Sequence, residues 1–199
     1  MSRTQIINKF ITKYNYENYL EIGVLAPSYN FKHIIAKHKT GVDPGVRLDL
    51  YPKGTEGNQM TSDNYFKQLD KDKKFDIIFI DGDHHEKFVD RDITNSLNHL
   101  AENGTIVLHD CNPPNRDCEG FNKGCGTVWK SFYKLRRNNL NLDTYVINTD
   151  FGVGIVRRGL REDFIELPES VLEYDFLATN RTQVLNLITK QQFNNKICL

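Results

Sequence analysis

Phe75-Asp76-Ile77-Ile78-Phe79-Ile80-Asp81-Gly82-Asp83-His84-His85 is the stretch on which the fold turns. Its first six residues are apolar except for Asp76, and the run ends in acidic, glycine and histidine residues. Short apolar runs bounded in this way read as strands buried on both faces, the habit of parallel sheets. A second run, Thr105-Ile106-Val107-Leu108, passes straight into His109-Asp110-Cys111-Asn112. In an open α/β sheet the ligand sits beyond the carboxyl ends of the strands. Asp81, Asp83, His84, His85, His109 and Asp110 are therefore expected around one small volume.

Between the two runs lies the clearest helix of the chain, Glu86 to Leu100. Val89, Ile93, Leu97 and Leu100 mark one face, and Glu102-Asn103-Gly104 supplies a stop. Upstream, Ile6, Ile7, Phe10 and Ile11 predict an amphipathic helix within residues 1–16. Tyr19 to Val24 reads as a first strand. A helix capped by Ser28 follows it, with Phe31, Ile34 and Ile35 on one face. Thr40 to Asp43 is a second strand, stopped by Pro44-Gly45. Residues 45–57 read as a loop and Asn58 to Thr61 as a third strand. Asp63 to Leu69 reads as a short helix capped by Ser62 or Asp63. Downstream, Thr127 to Arg137 is helical, with Val128, Phe132 and Leu135 inward. Asp143 to Asn148 and Val153 to Val156 form an antiparallel hairpin. A helical tail fills residues 160–199, strongest from 169 to 192 and broken near Asn180. Strand and helix alternate throughout, which predicts an α/β domain with helices on both faces of a mostly parallel sheet. A single domain over residues 1–199 is expected.

The charge balance narrows the partners. Twenty-six basic residues face 26 acidic ones, so the formal net charge is zero. A nucleic-acid footprint needs a basic excess or patch; Arg136-Arg137 and Arg157-Arg158 read instead as solvated surface. No apolar run reaches membrane-spanning length, and Met1 to Gln5 lacks the apolar stretch of a signal peptide. A cytoplasmic protein without membrane insertion is expected. Cys111, Cys118 and Cys125 recur every seven residues, a wider spacing than zinc knuckles use. They read as free thiols.

The strand exits carry the candidate chemistry. Asp43 lies twenty residues after Gly23, the interval at which a Rossmann-type domain places its ribose-binding carboxylate. Only one glycine of a Gly-x-Gly-x-x-Gly loop is present, and Pro27 removes a donor, so a pyrophosphate cofactor is disfavoured. Glu21 suits a cationic nucleoside ligand. Ser62 and Asp63 would sit beside an adenine, or serve only as caps. Adjacent strands lie about 4.8 Å apart, so Asp81 and Asp110 could share a divalent ion, with Asn112 as a further oxygen ligand. Oxygen ligands suit Mg²⁺ or Ca²⁺, and histidine ligation would shift the preference toward Mn²⁺, Fe²⁺ or Zn²⁺. A metal-free pair is the alternative. His84 is the candidate general base beside Asp81. His109 either joins that cluster or, from its place just before Asp110, points to the other face of the sheet and serves in packing or hydrogen bonding.

The ordered set Tyr19-Leu20-Glu21-Ile22-Gly23-Val24, Gly41-Val42-Asp43-Pro44, Phe75 to His85 and Gly104 to Asp110 resembles class I S-adenosylmethionine-dependent methyltransferases. It is most similar to the small bacterial group found near sugar-modifying enzymes. The resemblance implies a seven-stranded sheet of order 3-2-1-4-5-7-6 with strand 7 antiparallel. It implies S-adenosylmethionine in a pocket made by Glu21, Gly23, Asp43, Ser62, Asp63 and Asp81. Related metal-dependent O-methyltransferases bind Mg²⁺ through an aspartate after strand four and an acid or amide pair after strand five. Asp81 and Asp110 match that pattern, while Cys111 departs from it. The expected reaction moves a methyl group to a hydroxyl of a small polar acceptor such as a sugar, with His84 and Asp81 catalytic. The acceptor is expected to enter over residues 45–57 and 112–126, past Arg47, Tyr51, Arg116 and Lys123. Self-association through the apolar tail is left open. A nicotinamide oxidoreductase lacks its phosphate loop; a metal hydrolase on the same aspartates and a non-catalytic nucleoside-binding module are the competing readings.

Overall fold

The computed structural model describes residues 1–120, 124–160 and 172–198. Lys123 and, within the expected tail of residues 160–199, residues 161–171 and Leu199 lie outside them. The strands are β1 (Asn18–Ile22), β2 (His38–Val42), β3 (Glu56–Asn58), β4 (Phe75–Ile80), β5 (Leu100–Leu108), β6 (Leu142–Ile147), β7 (Val153–Arg158) and β8 (Leu187–Ile188). They form one sheet of order β3-β2-β1-β4-β5-β7-β6-β8. β7 runs antiparallel to β5 and β6, and the remaining pairings are parallel. The helices are α1 (Arg3–Tyr14), α2 (Ser62–Gln68), α3 (Glu86–His99), α4 (Val128–Asn138), α5 (Tyr174–Leu185) and α6 (Lys190–Cys198).

Strand alternation distributes the core. Successive side chains of a strand point to opposite faces. Ile78 and Ile80 therefore pack with Val89, Ile93, Val128 and Phe132 of α3 and α4. Ile77 and Phe79 join Ile6, Phe10 and Phe193 of α1 and α6. Helix α1 starts from a full capping box, with Ser2 and Gln5 satisfying each other's backbone donors. It ends on Asn15 in the left-handed conformation.

Several elements differ from the sequence expectation. The stretch after β1 is no helix: only Phe31–His33 makes a 3-10 turn, uncapped by Ser28, and Ile35 is exposed. Asn30 is the reason, because its side chain is drawn inward to Glu21 and Tyr19. β3 forms two residues earlier than expected, since Gly57 must lie flat against the Tyr51 ring. Thr61, rather than Ser62 or Asp63, caps α2. Glu102-Asn103-Gly104 does not stop a helix but belongs to β5, which begins at Leu100. The sheet has an eighth strand, β8, on the β6 edge. Arg136 is not solvated surface: it is fully buried. The break at Asn180 falls inside α5, where that residue leaves helical geometry. No helix among the described residues is long and apolar enough to cross a membrane.

The register sets the level of the site. Ile22 pairs with Val42 and with Ile80, and Ile80 pairs with Leu108. The backbone ladder runs one step further: Gly23 N donates to Val42 O, Asp81 N to Ile22 O and His109 N to Ile80 O. Asp43, Gly23, Asp81 and His109 thus leave four adjacent strands at one height. The crossovers diverge at β1, the switch point where such sheets open a crevice.

Candidate active site

A cavity of about 720 Å³ fills that crevice. Its lining brings together Glu21, Gly23, Asp43, Ser62, Asp63, Asp81, His84 and Asp110, together with Arg3, Asn30, Asp92, His109 and Phe151.

The floor is shaped by Gly23. Its φ is +85°, and a Cβ there would lie 2.1 Å from the Asp81 carbonyl oxygen. No side chain fits so close an approach. Two residues on, Leu25 does the work of a second glycine: it holds a left-handed φ of 52°. Its N–H donates to Asp43 Oδ2 at 2.8 Å, while Asp43 Oδ1 accepts from Gly45 N at 2.7 Å. Asp43 is fixed by the turn and also borders the cavity.

Glu21 is buried, and Oε2 accepts from Tyr19 Oη at 2.5 Å and Asn30 Nδ2 at 3.0 Å. Burial raises its carboxyl to about 8 against those two bonds, with the nearby Asp81 charge adding to the rise. Across the cavity, Asp63 pairs with Arg91 at 2.9 Å. Asp92 is pushed to about 6 by burial, opposed by a bond with Ser62.

The chemical end is a tight set of charges. His84 Nε2 lies 3.5 Å from Asp81 Oδ1 and 3.4 Å from Asp110 Oδ2. His109 Nδ1 lies 3.2 Å from the same two oxygens. Two imidazoles therefore bridge two carboxylates. Of the two orientations open to His109, the structure takes the one that faces the cluster. Asp110 takes a left-handed φ of 59°, which turns the chain so that both side chains reach Asp81. His109 arrives from the α1 side, with its ring edge on Phe79. Arg3 joins from α1, with Nε 3.8 Å from Asp81 and Nη1 3.2 Å from His109 Nε2. Asp150 anchors Arg3 through a 2.7 Å bond from the Arg3 N–H and faces His109 at 3.5 Å. Close carboxylates repel unless a cation relieves them; here His84, His109 and Arg3 do so.

The proton affinities follow. Burial works to raise Asp81, but His109 and His84 outweigh it and hold the carboxyl well below the usual range. Burial lowers His109, yet the carboxylates of Asp110, Asp150 and Asp81 push it up to about 11. Burial opposes His84 too, and Asp81 and Asp110 leave it raised. Its Nδ1 is held by the Gly124 carbonyl, which aims Nε2 into the cluster.

Asp81, His84 and Asp110 each offer a ligand atom, all within 4.8 Å of one another. Two oxygens and one nitrogen at that spacing fit a divalent ion. Asn112 does not line this cavity. It borders a separate depression, where its Oδ1 is taken by Arg181. Asp83 binds His85 at the head of α3, and His85 does not line the cavity. Nor do Arg47, Tyr51 and Arg116, the described residues among those expected at the entrance. Arg47 pairs with Asp49, Arg116 pairs with Asp175, and Tyr51 is packed under β2 and β3 against Phe31. Arg3, Asn30, Asp150 and Phe151 are not legible in the sequence: they come from distant parts of the chain and carry no motif. Cys111, Cys118, Cys125 and Cys198 are free thiols. Burial pushes the Cys111 thiol far up, which makes it an inert packing group against Gly154.

The fold has known counterparts. No curated protein matches the chain. A family model described as a methyltransferase domain matches residues 28–111, less than half of the chain. Among solved structures, the Podospora anserina methyltransferase PaMTH1 bound to SAH is 17% identical, with a TM-score of 0.59 and 79% of each chain covered. The Bacillus cereus O-methyltransferase in complex with SAH is 15% identical at a TM-score of 0.58, over 81% of this chain and 82% of that one. The Streptomyces achromogenes O-methyltransferase TomG in complex with SAM is 12% identical at 0.56, over 80% and 81%. At such identities the likeness is one of architecture: the chain has the Rossmann-like fold of class I S-adenosylmethionine-dependent methyltransferases.

Proposed function

We propose that the protein transfers a methyl group from S-adenosylmethionine to a hydroxyl oxygen of a small acceptor. One observation carries the reading. A single cavity runs from nucleoside-binding candidates at Asp43 and Asp63, past Glu21, to the cluster of Asp81, His84 and Asp110. The fold and the SAH- and SAM-bound neighbours agree with it.

The sulfonium of the cofactor would supply an activated methyl group. Asp43 would accept from the ribose hydroxyls, Asp63 from the adenine amine, and Gly23 would let the backbone approach. At the chemical end, His84 would take the acceptor proton on Nε2. The Gly124 carbonyl holds the ring, and the charges of Asp81 and Asp110 stabilise the imidazolium that forms. Arg3 and His109 keep the two carboxylates in place without repulsion. Much of the rate would come from aligning oxygen and methyl in one cavity.

Asp81, His84 and Asp110 would also hold a divalent ion, which would supply a Lewis acid toward the acceptor oxygen. The nitrogen of His84 cannot serve ion and proton together, so the two routes are separable. Calorimetry with S-adenosylmethionine and its demethylated product comes first, and absence of binding ends the reading. Methyl transfer to a panel of phenols and sugars, with EDTA and with added Mg²⁺ or Mn²⁺, follows. On the histidine route, EDTA leaves the rate unchanged. The rate then rises with pH through a midpoint above 6.5, because the base must shed its proton and its affinity is raised. His84→Asn removes that limb.

A further inference from the structure

The β6–β7 turn puts a large apolar residue where folding alone calls for glycine. Thr149-Asp150-Phe151-Gly152 is closed by a 2.8 Å bond from Gly152 N to Thr149 O. Both central residues are left-handed, Asp150 at φ 50° and Phe151 at φ 58°. Hairpin turns with two such residues favour Asn-Gly or Asp-Gly, since a side chain at the second position is strained. Asp150 has its reason in Arg3 and His109. Phe151 has none in the core, for it is 55% exposed. The turn is nevertheless held firmly. Cys111 N donates to Gly152 O and Asn112 N to Phe151 O, at 3.0 and 2.7 Å.

The position of the ring gives it a use. Phe151 lines the main cavity and also borders the adjoining depression of about 410 Å³, so it forms the ridge between them. Along the sheet, Asp43 lies on the β2 side of β1, whereas the turn follows β6 and precedes β7, beyond β5. Phe151 therefore stands past the chemical cluster, on the side away from the nucleoside end. Its chain neighbour Asp150 touches His109, which touches both catalytic carboxylates.

We propose that Phe151 is the acceptor platform, and that the acceptor carries its hydroxyl on a ring with one apolar face, a phenol or a pyranoside, which stacks on it. This rests on the methyltransferase reading and adds the acceptor class to it. An exposed aromatic ring beside a polar cluster offers such a ring face-to-face contact, while the cluster receives the hydroxyl. The left-handed strain persists because the ring is retained for binding.

The test uses the full chain with and without saturating SAH. Catechol and methyl α-glucopyranoside are the probes, observed by saturation-transfer NMR. The variants are Phe151→Gly, which removes ring and strain together, and Phe151→Tyr, which keeps the ring. At least one probe is expected to bind the wild type and the tyrosine variant alike, and the glycine variant about fivefold more weakly. SAH affinity stays equal in all three. The glycine variant melts higher by about 2–4 °C, as relief of one strained residue implies for a chain of this size. Preference for one probe identifies the acceptor as phenol or sugar. Equal probe affinity in the glycine variant, binding of neither probe to the wild type, or a lower melting point for the glycine variant overturns the proposal. Failure of SAH to bind the wild type counts against the methyltransferase reading alone, since the probe titrations without SAH still decide the ring contact.

Discussion

Glu21 shows how burial converts a surface carboxylate into a proton-holding group. In the unfolded chain its carboxyl titrates near 4.5, and in the folded protein near 8. Below 4.5 both states hold the proton, and above 8 neither does. Between them only the folded state keeps it, so stability is full at the acid end and falls as pH rises. The slope is about 1.4 kcal/mol per pH unit for one such group. Glu21→Gln, isosteric and always neutral, should flatten that part of the curve. Urea unfolding at pH 5, 6, 7 and 8 checks this, and parallel curves for variant and wild type would refute it. Tyr19, Asn30, Asp81 and Arg3 surround the group and are common to both proteins, so the difference isolates Glu21. A cationic ligand favours the ionised form. Affinity for S-adenosylmethionine relative to its neutral product should therefore climb toward pH 8 in the wild type and stay flat in the variant. The sequence places Glu21 near a strand end, two residues before Gly23, which is enough to nominate it. It does not reveal that Asn30 would turn inward to bind it, because that contact exists only once the loop has folded over β1.

At the scale of elements, α1 does more than cover the sheet. Its apolar face of Ile6, Ile7, Phe10 and Ile11 is visible in the sequence period and is buried as that period implies. Its first turn delivers Arg3 to Asp81, His109 and Asp150, a function without any sequence period. Arg3→Gln should cut turnover at least tenfold while leaving affinity for the neutral product SAH within about twofold, since the direct contacts of Arg3 are to Asp81, His109 and Asp150. It should also cost roughly 1–3 kcal/mol, the penalty for removing one partner of partly buried charges. Steady-state kinetics with SAH titration separates these effects, and a change in affinity without a change in turnover would remove Arg3 from the chemistry. The element that failed to form is equally instructive. Phe31, Ile34 and Ile35 have helical spacing, yet Ile34 is extended after one 3-10 turn. Tertiary pull on Asn30 outweighs a propensity of tenths of a kcal/mol per residue. β4 read correctly because both its faces are buried, so its apolar run has no competing interpretation.

At the scale of the molecule, alternation of strand and helix made the parallel sheet legible, and the family resemblance supplied its order. The closing edge was illegible. Leu187-Ile188 is too short to show a period, and paired arginines ordinarily mean solvent. The structure uses Arg136 to bolt that edge together. From α4 it donates through Nε to Val184 O at 3.0 Å, through Nη1 to Thr144 O at 2.6 Å and Thr144 Oγ1 at 3.0 Å, and through Nη2 to Gln183 O at 3.4 Å. One planar fork thus ties α4, α5 and β6, and a lysine has too few donors in fixed directions to replace it. Arg136→Met keeps the length and apolar stem but leaves buried carbonyls on two elements without this donor. Asn186 still donates to Thr144 O and Gln183 O, at 3.1 and 3.4 Å, so the cost falls mainly on Val184 O, and a loss of about 1–3 kcal/mol is expected. The loss should be local first. With α5 loosened, β8 leaves the β6 edge, and amides of Tyr174–Leu185 and Leu187–Ile188 should exchange with solvent much faster than those of β1 and β4. Exposed strand edges recruit other chains, so the variant should also aggregate on mild heating where the wild type stays clear. Hydrogen exchange that accelerates uniformly across the sheet, or a variant within about 1 kcal/mol of wild type, would show that the edge is held by its apolar contacts instead.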